Sequence, residues 1–192
     1  MEIKNLCKSK VRRYELAGVP IVYALACFLH YLYDLTGGSA LAAVFAAANE
    51  SVWEHVKIFA VAYLAYSAVE YFLLKIPFRS FIAAKTAGVY FLIFSIIVFF
   101  YTYTALLGRH VLAIDLISSF IWVAAAFFIS CKIIECGSVD GKRYAISLFA
   151  MLLFIACYLS FTVNPPEIEL FRDPVTGDYG MPVIGTVFEI PV

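Results

Sequence analysis

Residues 39–57 read SALAAVFAAANESVWEHVK. The first half, Ser39–Ala48, is apolar and helix-prone, and it runs into a group of two carboxylates, an imidazole and an ammonium before the chain turns apolar again at Ile58. Ser39–Ala48 is too short to cross a bilayer, and apolar segments of about 10–14 residues form buried, re-entrant or interfacial helices. Fusing it to the next segment is no better. A helix from Ser39 to Leu74 would extend roughly 54 Å at about 1.5 Å per residue, well past a hydrocarbon core of about 30 Å. A break is therefore expected at Asn49, Glu50 and Ser51. Asn or Ser caps the helix that follows, and acids in a first turn favour its positive dipole end.

The rest of the chain explains why bilayer dimensions are the right ruler. Of its 192 residues, 64% are hydrophobic and 15% charged, against about 45–50% and about 25% in soluble domains. Five windows supply the roughly 20 apolar residues a spanning helix needs: Leu16–Tyr33, Trp53–Leu74, Thr86–Leu107, Val111–Ile134 and Tyr144–Val163. The expected fold class is an all-α integral membrane protein with five transmembrane helices, a short re-entrant or interfacial helix and a folded tail. The basic start followed by an apolar run resembles a secretory signal, but the run is longer than a signal core and Phe28, His30 and Tyr31 do not form a small-residue cleavage site. It is read as a mature helix. The five cysteines form neither a disulfide framework nor a CxxC zinc spacing and read as small hydrophobes.

Lys and Arg near helix ends are retained on the cytoplasmic side. With the N-terminus inside, the inner segments collect 11 of the 14 basic residues, Lys75, Arg79 and Lys85 among them, leaving Lys57, Arg109 and Arg172 outside. The N-terminus is expected in the cytoplasm and the C-terminus outside. Residues 1–163 form the helical domain; residues 164–192 form an extracytoplasmic tail, ended from the bundle by Asn164-Pro165-Pro166, rich in turn signals and closing with a candidate strand, TVFEIPV. The tail is expected to pack over the outer mouth, with Phe171, Asp173 and Tyr179 as lid residues. The inner basic residues read as topology determinants and anionic-lipid contacts; the expected partner is the lipid bilayer and no nucleic acid.

This topology gathers polar groups at the outer end. Span one ends with His30, Tyr33 and Asp34; span two begins with Asn49, Glu50, Trp53, Glu54, His55 and Lys57; Arg109, His110 and Asp115 approach from the far side. Intramembrane ionisable groups are costly unless they face a wet cavity or one another. Two readings stand: a ligand pocket, or an interfacial collar in which Trp53 belongs to the aromatic belt, Lys57 snorkels and Glu50 and Glu54 cap a helix. The pocket reading takes a small polar or cationic ligand at an outward-facing pocket lined by His30, Glu50, Glu54, His55 and Lys57, with His30, Glu54, His55 and Lys57 on one shared cavity. No cofactor is identified. A divalent metal on His30, Glu54 and His55 fits the donor types, although HExxH, HxxEH and Glu-x-x-His spacings are missing. Such a metal would make the chain a membrane-embedded hydrolase or transferase acting on a lipid or peptide at the outer leaflet, so whether it is an enzyme stays open. Glu15 and Glu70 lie near basic inner segments and read as partners of Lys75 or the N-terminal cluster.

NESVWEHVK, preceded by HYLYDLTG, and the tail PPEIELFRDPVTGDYG resemble the signatures of a small bacterial membrane-protein family classed as a domain of unknown function. The resemblance covers nearly the whole chain. It implies a helical protein of the bacterial plasma membrane whose hallmark residues here are His30, Tyr33, Asn49, Glu50, Trp53, Glu54, His55, Lys57, Pro165, Pro166, Phe171, Asp173, Pro174, Gly177, Tyr179 and Gly180, and it brings no activity. From the charge asymmetry, a reporter fused after Val192 is expected to be active outside the cytoplasm; a cytoplasmic signal would invert the topology.

Overall fold

The computed structural model describes residues 2–181, with side chains from Ser9 onward. The regular elements of the described residues are helices, with no strand among them: α1 (Glu2–Leu35), α2 (Ala40–Phe45), α3 (Val52–Leu74), α4 (Phe78–Leu107), α5 (Leu112–Cys136), α6 (Gly141–Val163) and a 3-10 turn, Glu169–Phe171. Five of these are long and apolar enough to cross a membrane, and Leu16, Phe72, Leu106, Phe149 and Val163 turn outward and exposed, as lipid-facing side chains do. The candidate strand TVFEIPV lies outside the described residues.

Local chemistry sets the ends. Lys75 adopts a left-handed conformation at the end of α3, and the link to α4 is only Lys75-Ile76-Pro77. Proline at that link is compatible with a helix start, where its missing N–H is not needed, so α4 begins at Phe78 and not near the expected Thr86. Gly108, at φ 69°, closes α4. Asp140 caps α6 by accepting the Arg143 amide at 2.9 Å, a bond that holds its carboxyl below the ordinary range. Asn164 ends α6 ahead of the two prolines.

Around the core, α1 packs on α3 and α5, and α4 packs on α3, α5 and α6. Helices in lipid gain little from apolar transfer between them and rely on close packing and interhelical hydrogen bonds. Both devices are present. Tyr66 donates to the Tyr14 carbonyl at 2.6 Å, Tyr90 to Ala150 at 2.8 Å and Tyr23 to Leu116 at 3.1 Å, tying α3, α6 and α5 to their neighbours. Glycines admit the aromatic side chains: a methyl on Gly18 would meet Phe127 and Tyr66 at 2.6 Å, and one on Gly88 would meet the Tyr63 hydroxyl at 2.1 Å. Tyr63 and Phe127 pack with Val22, Val89, Leu92 and Val123 in one fully buried cluster. Gly88→Ala is expected to lower stability by about 1–3 kcal/mol through overpacking, measured as thermal unfolding in detergent. Adding Tyr63→Phe, which removes the clashing hydroxyl, should recover part of that loss.

Candidate functional site

The break falls where bilayer length requires it. Helical structure stops at Phe45 and resumes at Val52, with Ser51 as N-cap accepting the Glu54 amide at 3.3 Å. Asn49 directs the turn: its side-chain oxygen accepts the Ser51 amide at 2.9 Å while its amide donates to the Gly180 carbonyl at 2.7 Å. One side chain thus starts α3 and fastens the tail.

Such a break exposes backbone groups that lipid cannot satisfy. Glu54 and Lys57 take up that task. Lys57 Nζ donates to the Ala43 carbonyl at 2.8 Å, at the C-terminal end of α2, and pairs with Glu54 Oε2 at 2.5 Å; the same carboxylate oxygen accepts the Ala48 amide at 2.6 Å. Tyr158 of α6 donates to the neighbouring Val44 carbonyl. A cation at a helix C-terminus opposes the negative end of its dipole. Both members of the pair are buried, and together they bind the broken segment back onto α3.

The structure therefore divides the group expected on one cavity. Glu54 and Lys57 lie in the brace. Tyr33 is buried against Ala42, Ala43, Ala46 and Ala48 of the α2 region. Trp53 is buried between Phe161 (5.3 Å) and Phe171 (5.2 Å), its indole N–H unpartnered among the described residues. Asp34 is exposed. The groups that do converge are His30, Glu50 and His55, whose donor atoms lie within 4.8 Å of one another, the one such three-residue set among the described residues. Glu50 stands where the sequence places Glu54 in the candidate metal set. His30 Nε2 and His55 Nε2 are 3.2 Å apart, and Glu50 Oε2 is 3.5 Å from His55 and 3.9 Å from His30. His55 Nδ1 is 2.9 Å from the Ser51 carbonyl. A proton on that nitrogen makes the bond and leaves the Nε2 lone pair facing its neighbours, which is how backbone carbonyls orient ligating histidines.

These three residues stand at the rim of a cavity of about 900 Å³. Its lining is largely apolar, with Ala26, Phe59, Ile96, Phe99 and Leu116, and it also includes His110 and Asp115. Asp115 accepts the Tyr103 hydroxyl and lies 3.7 Å from His110. Arg109 does not line the cavity. The tail forms part of the wall through Glu169, Arg172, Asp173, Pro174, Val175 and Gly177. Among the expected lid residues, Phe171 is an anchor, buried on Trp53 and on Phe161 at 5.0 Å. Asp173 shapes a turn, its carboxylate accepting the Val175 amide and the Thr176 hydroxyl. Tyr179 pairs with Arg172 in an isolated antiparallel bridge.

A second polar centre escaped the sequence reading. Lys85, which the sequence assigns to the inner basic segments, lies two turns inside α4 and is buried; its ammonium is 3.1 Å from Glu15 and 2.6 Å from Glu70. The carboxylates thus pair with Lys85 and not with Lys75 or the N-terminal cluster. The signal that finds it is the Ile76-Pro77 link, which starts α4 early enough to carry Lys85 into the bundle.

A family model described as a family of unknown function, DUF6512, matches residues 1–181, and the chain belongs to that family. No curated protein and no solved structure matches it significantly. The brace separates by mutation from the rim: Lys57→Met or Glu54→Gln is expected to cost about 3–5 kcal/mol, the penalty for stranding a buried charge or its partner, whereas Glu50→Gln should cost less than about 1 kcal/mol. Thermal unfolding of the purified variants in detergent measures both. Equal, small losses in all three would remove the brace.

Proposed function

We propose that this DUF6512 member is a multi-pass protein of the bacterial plasma membrane that binds a divalent cation at His30, Glu50 and His55, at an outward-facing pocket beneath its tail. The observation that carries the reading is the donor triangle. Sides of 3.2, 3.5 and 3.9 Å enclose a point about 2.1 Å from all three atoms, matching zinc–imidazole and zinc–carboxylate bonds of about 2.0–2.2 Å. Two imidazoles and one carboxylate are also the donor set of open catalytic zinc sites, which keep a position for water or substrate. The side chains remain 29% (His30), 35% (His55) and 50% (Glu50) exposed, so a cation could enter without unfolding the rim. In this reading the tail is the lid, and the lipid bilayer is the standing partner.

The apolar interior below the rim favours one further step. A small hydrated cation has no use for walls of Phe59, Ile96 and Phe99, whereas an amphiphile places its chain among them and its polar head at the rim. A metal-assisted hydrolase or transferase acting on a lipid fits that shape: the cation would lower the pKa of bound water or polarise the bond to be broken.

Metal analysis of purified protein, after exposure to Zn²⁺ and removal of the excess, tests the site. About one ion per chain is expected. Loss of a second-sphere partner typically weakens metal binding about 10–100-fold, so His30→Ala, His55→Ala and Glu50→Ala should each weaken it by at least that much, while acidification releases the ion as the imidazoles take up protons. Full retention in a His30→Ala, His55→Ala double variant would overturn the assignment. Metal-dependent release of a fatty acid or head group from mixed lipid substrates would separate the enzyme from a cation-binding protein.

A further inference from the structure

The Glu15–Glu70–Lys85 centre has no place in the rim chemistry and sits at the other end of the bundle. Side-chain exposures of 3%, 0% and 1% put all three groups out of water. Lys85 donates one N–H to Glu15 Oε1 and one to Glu70 Oε2, and its charge lies over the rings of Phe127 (5.3 Å), Tyr63 (5.6 Å) and Phe81 (5.9 Å). Ser130 donates to the same Glu15 oxygen at 2.8 Å. That leaves Glu15 Oε2, Glu70 Oε1 and the Tyr63 hydroxyl buried with no partner among the described residues. Among the described side chains around the centre, α1 brings Glu15; α3 brings Glu70, Tyr63, Tyr66 committed to Tyr14 and Ser67 committed to the Tyr63 carbonyl; α4 brings Lys85; and α5 brings Ser130 and Cys131. The neighbouring ions, Arg12 and Glu135, pair with each other.

The charges do not balance. Two carboxylates facing one ammonium leave a net negative charge in an apolar bundle, the arrangement that low-dielectric surroundings tolerate least. Carboxylates forced to share a site resolve the conflict by keeping one proton between them. The two unpartnered oxygens, one on each carboxyl, are the positions free to carry that proton.

We propose that Glu15 and Glu70 together hold one exchangeable proton beside the Lys85 ammonium, making this centre a proton-binding site within the membrane span. Protonated, it is neutral; deprotonated, it carries one negative charge. Fully buried Val22, Val89, Leu92 and Val123 lie along their helices between it and the rim cavity, which favours exchange toward the end of the bundle that carries Arg12 and Glu135. Glu15 lies one turn along α1 from Arg12.

Infrared spectra of the detergent-purified wild-type chain test this without any substitution. A carboxylic-acid C=O band is expected at neutral pH, shifting in D₂O and vanishing as the pH is raised. A proton bound in the folded state but not in the unfolded one makes stability fall as pH rises through the titration, so the melting temperature should drop together with the band. Glu15→Gln and Glu70→Gln each leave one carboxylate opposite Lys85; both variants are expected to fold, to lose the band and to lose the matching slope of melting temperature against pH. The double variant strands the ammonium and should melt well below either single one. No acid band in the wild type, a band that survives in both single variants, or single variants as unstable as the double would each overturn the proposal.

Discussion

One ammonium allows a helix to stop inside this bundle. Lys57 donates to the Ala43 carbonyl at the end of α2 and pairs with Glu54, which in turn accepts the Ala48 amide. Without that exchange, the segment between α2 and α3 would hold bare backbone groups at a depth where water cannot compensate them, and an unsatisfied polar group there costs several kcal/mol. The local consequences follow in order. Because the chain can stop at Phe45, Asn49 can turn it; because it turns, α3 starts at Val52 and places His55 beside His30. The rim exists because the brace holds the break open.

The molecule then reads as two polar centres at the ends of an apolar barrier. His55 and Glu70 lie on the same helix, about 22 Å apart along its axis, with fully buried Val and Leu side chains between them. The two centres differ in kind. At the rim, donor atoms are half exposed and converge on a common point; at the other end, charges are fully buried and already contact one another. The first arrangement suits a guest that arrives from solvent, the second suits a particle small enough to enter a packed interior.

The spanning segments are legible because apolarity over some twenty residues is a strong and local signal, and the break at Asn49 is legible because length alone forbids the alternative. The partition of the polar cluster is not, and Glu50 shows why. Helical spacing places Glu50 and Glu54 on one face only if both belong to the helix, but Ser51 is the N-cap, so Glu50 precedes the helix and the rule does not reach it. A turn set by one asparagine side chain decides where that carboxylate points. Lys85 was lost for a related reason. An apolar window beginning at Thr86 treats the last polar residue before it as loop, although the three-residue link after α3 leaves room only for an early start. With Lys85 and Lys57 both consumed in buried pairs, the charge asymmetry behind the orientation rests on ten basic residues against two, sharper than the raw count.

The way the tail is anchored has a consequence for biogenesis. Phe171 sits against Trp53 from the start of α3 and Phe161 from the end of α6, and Gly180 is grasped by Asn49 across 131 positions of chain. These contacts join α3 and α6 to a segment made after both, so none of them can form while the ribosome is still working through the helices. The wall that Glu169, Arg172 and Asp173 add to the cavity is closed only after α6 has been inserted. Until then the two imidazoles and Glu50 face an unroofed groove, and whatever the finished pocket retains has free passage in and out of the nascent one.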